Sequence, residues 1–164
     1  MGVVEMHKAS YQYMKKYVTK YFDLKNKHTV CDVGSLDVNG SYKKIFPKTW
    51  EYTGVDLCKG KNVDLVMKSE YEIPAIDEHF DYVISGQTLE HCKNPFRLVK
   101  EMARILKTEG IIIIVAPFVI HVHNYPIDCF RFLPEGMKSI MEEAQLKPIK
   151  WKLRNRDTWG IAKK

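Results

Sequence analysis

The sequence lacks the features that define several classes of protein. Its four cysteines are widely spread and form no Cys-x-x-Cys pair, which favours reduced thiols in a cytosolic protein. The longest apolar run, residues 111–120, is too short to span a bilayer, and Pro117 interrupts it. Nine glycines and seven prolines follow no repeat, which excludes fibrous and low-complexity chains. An apolar leader before a small-residue cleavage site is also missing, so we expect a cytoplasmic protein without a signal peptide.

The residues that are present have the composition of one soluble globular domain. The chain has 164 residues, of which 45% are apolar and 28% charged, and it can bury a core without disulfides. The formal net charge is +6, but the cations are scattered along the chain. This pattern favours a solvated lysine-rich surface, with an anionic partner as the alternative. We therefore expect a single domain over residues 1–164.

Apolar residues recur with helical and strand spacings in turn. Helical spacing predicts helices over residues 5–22, 42–46, 95–107 and 134–145. Short apolar runs predict strands over residues 29–33, 51–56, 63–67, 80–84, 111–116, 148–153 and 158–162. The alternation predicts an α/β fold with a doubly wound, mostly parallel sheet, in which a last hairpin at residues 154–157 adds one antiparallel strand. The N-terminal helix lies within residues 1–25, and the core spans residues 29–164.

Two residues after the first two predicted strands indicate a nucleoside site. The carboxyl ends of neighbouring parallel strands form the ligand-binding edge of such a sheet. Gly34 follows the first strand and lets the backbone approach a ligand without a Cβ between them. Asp56 ends the second strand, roughly 20 residues further on, where a carboxylate can accept hydrogen bonds from both ribose hydroxyls.

The loop after the first strand does not fit a dinucleotide. The pattern G-x-G-x-x-G is absent, because the segment over residues 34–40 reads GSLDVNG. Asp32 and Asp37 also put negative charge where a pyrophosphate would lie, which is unfavourable for NAD. A cationic sulfonium with an amino-acid tail is compatible with these charges. A nicotinamide-dependent reductase is therefore the weaker alternative.

At this point the chain resembles the class I S-adenosylmethionine-dependent methyltransferases of the methyltransferase-11 type. The resemblance extends from about residue 28 to 164. It rests on VCDVGSLDVNGSY (30–42), YTGVDL (52–57), FDYVISGQTLEHCKNP (80–95), RLVKEMARILKTEG (97–110), IIIIVAP (111–117) and PIDCFRFLPEGMKSIMEEA (126–144). It implies a Rossmann-like sheet of seven strands with a reversed last hairpin. It also implies S-adenosyl-L-methionine as cofactor, with S-adenosyl-L-homocysteine as product.

The resemblance implies a set of cofactor-binding residues. Asp32 and Gly34 would line the methionine end, Asp56 would hold the ribose, and Leu57 would flank the adenine. The full implied set is Asp32, Gly34, Ser35, Asp56, Leu57, Met67, Lys68, Ser85, Gly86 and Gln87. The family pattern D-x-G-x-G-x-G has glycine where this chain has Leu36 and Val38, so residues 39–40 would make the tight turn instead.

The segment after the fifth strand, FVIHVHNYPIDCFRF (118–132), lies at the mouth of the predicted cleft and supplies candidates for the acceptor side. Candidate catalytic bases are His91, His121 and His123, and candidate substrate-binding residues are Tyr125, Asp128 and Arg131. His91 is equally able to brace its loop, and Arg131 is either a residue that stacks between two phenylalanines or a clamp for an anionic acceptor. His121, His123 and Cys129 could bind zinc, but two histidines are a weak signal, so we predict no metal.

The acceptor is expected to be a small polar molecule. By resemblance, an enzyme for the amino groups of nucleic-acid bases would carry [DNS]-P-P-[YFW] after the fourth strand, where this chain has residues 85–88, SGQT. The Pro-Cys pair of cytosine-C5 enzymes is also absent, so nucleic acid is not an expected partner, and neither is a membrane. O-methylation of a sugar or related metabolite is the expected reaction. The alternative is a non-catalytic, cofactor-binding partner subunit, because the loop at residues 34–40 is irregular.

Overall fold

The computed structural model describes residues 8–38 and 40–164. Its helices and strands, in chain order, are α1 (Lys8–Tyr21), β1 (Thr29–Val33), β2 (Glu51–Asp56), β3 (Leu65–Val66), β4 (Phe80–Gly86), α2 (Pro95–Ile105), β5 (Leu106–Pro117), α3 (Pro134–Glu143), β6 (Lys147–Arg154) and β7 (Asp157–Lys163). Short 3₁₀ helices occupy Tyr42–Ile45 and Leu89–His91. None of the helices that the structure describes is long and apolar enough to cross a membrane.

The strands form one seven-stranded sheet in the order β3-β2-β1-β4-β5-β7-β6. Strands β1 to β5 pair in parallel, and β7 is antiparallel to both β5 and β6. The strand order reverses direction at β1 and β4, so the carboxyl ends of these two strands flank the crevice in which such sheets bind ligands. The predicted α/β fold class, with its antiparallel C-terminal hairpin, is confirmed.

The sheet separates two apolar layers. Alternate residues of one strand point to opposite faces, so in β5 Ile112 and Ile114 pack with α2 and α3, whereas Ile113 and Val115 pack with α1. The all-apolar strand predicted at 111–116 is therefore buried on both faces, as expected for a central strand.

The N-terminal helix packs on one face of the sheet. Tyr17 of α1 lies with its ring centroid 5.2 Å from that of Trp159, which is fully buried in β7. The Ser10 hydroxyl lies 3.0 Å from the Tyr42 hydroxyl. The described part of this segment is thus a wall of the fold that reaches Tyr42, while the predicted helix start at Glu5 lies outside the described residues.

Local signals account for several helix starts. Pro95 opens α2, and the Asn94 side chain caps it by accepting a hydrogen bond from the Arg97 amide. Ser41 caps the segment after it in the same way, accepting from the Lys43 amide at 3.0 Å, but the helix that follows is a 3₁₀ turn rather than an α-helix. Pro47 follows this turn within two residues, which limits its length.

Strands β4, β6 and β7 extend one or two residues beyond their predicted bounds, and the larger differences are at β5 and β3. The predicted turn at residues 108–110 is absorbed into β5, because Leu106 already pairs with Phe80 and Glu109 adopts a left-handed φ of 68° within an irregular register. Strand β3 has two residues instead of the expected five, since the side chain of Asp64 occupies the Gly54 amide where strand pairing would continue.

Candidate active site

Gly34 lies at the carboxyl end of β1 in a conformation that favours glycine. Its φ is +81°, and its amide donates to the Val55 carbonyl at 2.8 Å. A Cβ at this position would lie 2.0 Å from the Thr88 hydroxyl oxygen. The backbone after β1 therefore runs directly against the segment after β4, with no space for a side chain between them.

Asp56 lies at the end of β2 and organises the loops on either side. Its Oδ2 accepts from the Leu36 amide and its Oδ1 from the Cys58 amide, each at 3.1 Å. A carboxylate has about four lone-pair sites, so each oxygen can accept one further hydrogen bond. Leu57 beside it is 46% exposed, which leaves an apolar surface next to the carboxylate.

Asp32 is buried and hydrogen-bonded. The Tyr52 hydroxyl donates to its Oδ2 at 2.5 Å, and the Asn62 side-chain amide donates to the Tyr52 oxygen at 2.9 Å. Burial raises the pKa of Asp32 to about 7, although the Tyr52 hydrogen bond opposes this rise. Sequence reasoning missed Tyr52 and Asn62, since both partners come from later segments and only the fold brings them to Asp32.

Several other predicted cofactor residues form the walls of the cleft. The Ser35 hydroxyl donates to the Asn62 carbonyl at 3.0 Å, and the buried Ser85 hydroxyl donates to the Val33 carbonyl at 2.8 Å. The Gln87 side-chain amide donates to an Asp157 carboxylate oxygen at 3.0 Å. These hydroxyl and amide protons are engaged within the protein, so the three side chains hold strand ends together.

Gly86, Met67 and Lys68 complete the predicted cofactor set. A Cβ on Gly86 would lie 2.6 Å from the Tyr42 ring, so glycine lets this ring cover the end of β4. Met67 is buried and its amide donates to the Asp56 carbonyl at 2.8 Å, whereas Lys68 is exposed.

The irregular loop at residues 34–40 is anchored on the segment after β2. Asp37 forms an ion pair with Lys61 at 2.7 Å, and its amide donates to the Lys61 carbonyl at 3.0 Å. The Leu36 side chain lies against Gly60. Gly40 has a φ of 138°, as a turn in this place requires, while Asn39 lies outside the described residues. Leu36 thus packs where the family pattern has glycine.

On the acceptor side, the three predicted histidines lie side by side. The ring centroids of His91 and His123 are 5.1 Å apart, and those of His121 and His123 are 6.0 Å apart. His91 Nδ1 lies 2.5 Å from the Ile127 carbonyl oxygen, and His123 Nδ1 lies 3.1 Å from the His121 carbonyl oxygen. Carbonyl oxygens only accept, so each Nδ1 carries the proton and each Nε2 has a free lone pair in the neutral ring.

Glu90 lies beside these histidines and is a site residue that the predicted set omitted. Its side chain is 1% exposed, and its Oε1 lies 3.7 Å from His91 Nε2. Its Oε2 is buried without a hydrogen-bond partner among residues 8–38 and 40–164. Burial raises the pKa of this carboxyl to about 8. The run Leu-Glu-His after a buried strand was the available signal, but burial of the glutamate follows only from the fold.

Glu90 and Asp32 both lie near Tyr42. Tyr42 is buried between α1 and the strand ends, and burial is the main reason that its pKa is raised. The negative charges of Asp32, Asp157 and Glu90 raise it further. The Tyr42 ring therefore lies within electrostatic reach of both the predicted cofactor side and the histidine side.

Asp128 and Arg131 brace the loop that carries the histidines. Arg131 donates to both Asp128 oxygens, at 2.5 and 2.7 Å, and the His123 amide donates to Asp128 at 2.7 Å. The Arg131 guanidinium holds the pKa of Asp128 well below its usual range. Tyr125, the third predicted substrate residue, is 59% exposed at the rim. Arg131 is thus paired within the chain, and its predicted role as a clamp for an acceptor stays a prediction.

Comparison with known proteins identifies the family. A family model described as a methyltransferase domain matches residues 31–114, which is half of the chain. The chain belongs to the methyltransferase domain family. This segment contains most of β1, all of β2 to β4, α2 and most of β5, and so includes both Gly34 and Asp56.

Relatives of this methyltransferase domain agree with that assignment. The chain is 31% identical to a demethylmenaquinone methyltransferase of Staphylococcus saprophyticus, in a match that covers 66% of this chain and 51% of the relative. The chain thus spans about half the length of the curated relatives it matches.

Solved structures show the same fold at low sequence identity. A SAM-dependent methyltransferase from Aquifex aeolicus is 18% identical, with a TM-score of 0.68 over 90% of this chain and 88% of the other. The 1,6-didemethyltoxoflavin-N1-methyltransferase of Burkholderia thailandensis is 14% identical, with a TM-score of 0.74 over 96% and 79%. The predicted family, Rossmann-like methyltransferase fold and cofactor class are confirmed.

Proposed function

We propose that this chain binds S-adenosylmethionine and methylates a small molecule that carries an ionisable hydroxyl group. The observation that supports it is the placement of Gly34 and Asp56 at adjoining strand ends, with Glu90 and two histidines across the same cleft. When bound, S-adenosylmethionine supplies an electrophilic methyl group on a sulfonium.

The cofactor side of the cleft fits a nucleoside. Asp56 keeps lone pairs for ribose hydroxyls after its two hydrogen bonds to backbone amides, and exposed Leu57 offers an apolar surface for the base. Gly34 lets the chain after β1 lie directly against Thr88. A cationic ligand beside the buried Asp32 would favour the charged form of this carboxyl, whose pKa burial raises to about 7. These residues therefore fit the group that the family requires.

The acceptor side provides for loss of a proton. A hydroxyl becomes a good nucleophile once its proton is removed, and the free Nε2 lone pairs of His91 and His123 are the groups that promote this step. Backbone carbonyls hold the two rings in place, and Asp128 accepts from the His123 amide and lies 3.4 Å from its ring, so little ordering is required when an acceptor binds.

Two acceptor classes come from different observations. The sequence alone favours a sugar or related metabolite. The similarity to demethylmenaquinone methyltransferases supports a quinol-type ring, and so do the exposed apolar side chains of Val122, Tyr125 and Leu133 at the rim. We propose a quinol or phenol as the first acceptor molecule to test and a sugar as the second.

The first experiment is calorimetric titration of the protein with S-adenosylmethionine and S-adenosylhomocysteine, with NADH and ATP as controls. We expect micromolar affinity for the first two ligands alone. Asp56→Ala removes the proposed ribose acceptor and should weaken binding at least tenfold, or about 1.4 kcal/mol. Glu51→Ala, at the opposite end of the same strand, is the matched control and should bind normally.

Unchanged affinity in Asp56→Ala would contradict the assigned site. Binding without turnover on panels of quinols, phenols and sugars would instead favour the alternative of a non-catalytic partner subunit. Tight binding of NADH would support the reductase that the sequence disfavours.

A further inference from the structure

We propose that Glu90, His91 and His123 bind a divalent transition-metal ion such as Zn²⁺ at the acceptor side of the cleft. One ligand atom from each residue lies within 4.8 Å of the other two. Ligands of a tetrahedral zinc ion lie about 3.3 Å apart, so closure requires shifts on the order of 1 Å. Among the described residues, Glu90, His91 and His123 are the group of three whose ligand atoms lie this close together. The alternative set of His121, His123 and Cys129 does not form such a group.

The two imidazoles are already oriented as metal ligands. A histidine that binds a metal through one nitrogen usually donates its other N–H to a carbonyl or carboxylate, which fixes the tautomer. His91 makes this bond to the Ile127 carbonyl, and His123 makes it to the His121 carbonyl. Asp128 Oδ2 also lies 3.4 Å from Nδ1 of His123, the nitrogen that carries this proton. Both Nε2 atoms are therefore left as ligand atoms.

The burial of Glu90 supports a cation at this place independently of the orientation of the two histidines. A carboxylate oxygen buried without a hydrogen-bond partner costs on the order of 1–3 kcal/mol or more, so such atoms are rare in native proteins. Glu90 Oε2 is such an atom, and Oε1 of the same carboxylate lies 3.7 Å from His91 Nε2. A cation between the three residues would satisfy it and would offset the burial of its charge.

The donor set indicates the class of metal. Two imidazoles and one carboxylate suit Zn²⁺, Co²⁺ or Fe²⁺, whereas Mg²⁺ and Ca²⁺ prefer oxygen ligands alone. Three protein ligands leave at least one coordination position open, which is typical of catalytic rather than structural sites.

The role of this site rests on the function proposed above. An acceptor hydroxyl that binds at the open position loses its proton more readily, because the cation stabilises the oxyanion. The proton passes to solvent water, the acceptor oxygen forms a bond to the methyl carbon, and the sulfur–methyl bond breaks to leave neutral S-adenosylhomocysteine. The histidines then act by holding the cation instead of taking up the proton themselves.

The experiment is metal titration of the chelator-treated protein in the absence of any other ligand. Zn²⁺ binding is followed by calorimetry, and Co²⁺ binding is followed by its visible absorption bands, with Mg²⁺ as the control ion. We expect one site of micromolar affinity or tighter for Zn²⁺ and Co²⁺, and none for Mg²⁺. His91→Ala, His123→Ala and Glu90→Gln should each lower the affinity for Zn²⁺ at least tenfold.

His121→Ala is the matched control for the metal titration, because this histidine lies beside the group without belonging to it. It should leave the affinity for Zn²⁺ unchanged. Circular dichroism and S-adenosylmethionine binding establish that each variant is folded. Glu90→Gln keeps the size of the side chain, so a loss of Zn²⁺ affinity in this variant reports loss of the carboxylate and not a cavity in the site.

The outcomes separate the metal site from the proposed function. Absence of Zn²⁺ binding in the folded wild-type protein, or binding that all three variants retain, overturns the metal site. Turnover that continues in the presence of chelator overturns its role in the reaction while leaving the methyltransferase intact. Metal binding by a protein that binds no S-adenosylmethionine overturns the proposed function while leaving the metal site in place.

Discussion

Three carboxylates of the cleft have different environments and therefore different chemistry. Asp56 accepts two backbone hydrogen bonds and is partly buried. Asp32 is buried but has a tyrosine partner, and Glu90 is buried with one oxygen that lacks a hydrogen-bond partner among the described residues. Burial penalises charge in the last two, so each should hold or lose a proton according to the cation placed beside it.

Asp32 gives a pH-dependent prediction. The ordinary pKa of an aspartate side chain is 3.8, and the pKa of Asp32 in the folded protein is about 7, so between these values the folded state binds more protons than the unfolded state. The free energy of unfolding must then fall as pH rises through this window. Asp32→Asn removes this contribution and should flatten the pH dependence between pH 4 and 7 while stabilising the protein at pH 8 by on the order of 1 kcal/mol or more.

Urea denaturation of both proteins at several pH values tests this prediction. Wild-type and variant curves of unfolding free energy against pH that stay parallel would show that Asp32 is ionised across the range.

At the scale of the element, two glycines with opposite surroundings make a matched pair. Gly136 in α3 has nothing within 4 Å of the position of a Cβ, so Gly136→Ala should stabilise the helix by about 0.5 kcal/mol or more. Gly34→Ala places a side chain on a left-handed residue and against Thr88, and should destabilise by about 1–3 kcal/mol. Thermal unfolding should raise the midpoint for the first variant and lower it for the second.

The helices and strands that could be predicted are those whose ends are marked by neighbouring residues in the sequence. Strands β1 and β2 have the predicted bounds, because an apolar run ends in a glycine or an acid in each. The end of α2 could not be predicted, since Leu106 continues the helical spacing but pairs instead with Phe80 in the sheet. Local hydrophobic periodicity does not indicate a strand partner that is distant in the sequence.

The candidate site likewise has features that the sequence predicts and features that depend on the fold. The placement of Gly34, Asp56 and the histidines after strands could be predicted from the order of strands along the chain, whereas their roles stay predictions. Tyr52 and Asn62 were not, because their contacts with Asp32 and with each other depend on the register of β2 against β1 and on the loop before β3. Burial of Glu90 depends on the loop after β5, whose Cys129 amide donates to the Glu90 carbonyl at 2.7 Å.

At the scale of the whole molecule, the C-terminal hairpin is part of the core. Strand β7 pairs with β5 along seven residue pairs and buries Trp159 and Ile161 completely. A chain that ends at Leu146 would expose the length of β5 and the apolar face of α1, so we expect it to be insoluble or unfolded. Expression of residues 1–146 beside the full chain, with solubility and near-ultraviolet circular dichroism as readouts, tests this. A soluble fragment with native-like spectra would contradict it.

The position of β7 also bears on biosynthesis. This strand follows β6 in the chain, yet it lies between β5 and β6 in the sheet. A nascent chain that has emerged only as far as β5 has a partial sheet whose open edge is β5, which is apolar over residues 111–117. The strand that covers this edge is made after α3 and β6. During translation the nascent chain thus exposes an unpaired, apolar edge strand for the time needed to synthesise some forty residues. In this interval a chaperone could bind β5 and prevent its pairing with other chains.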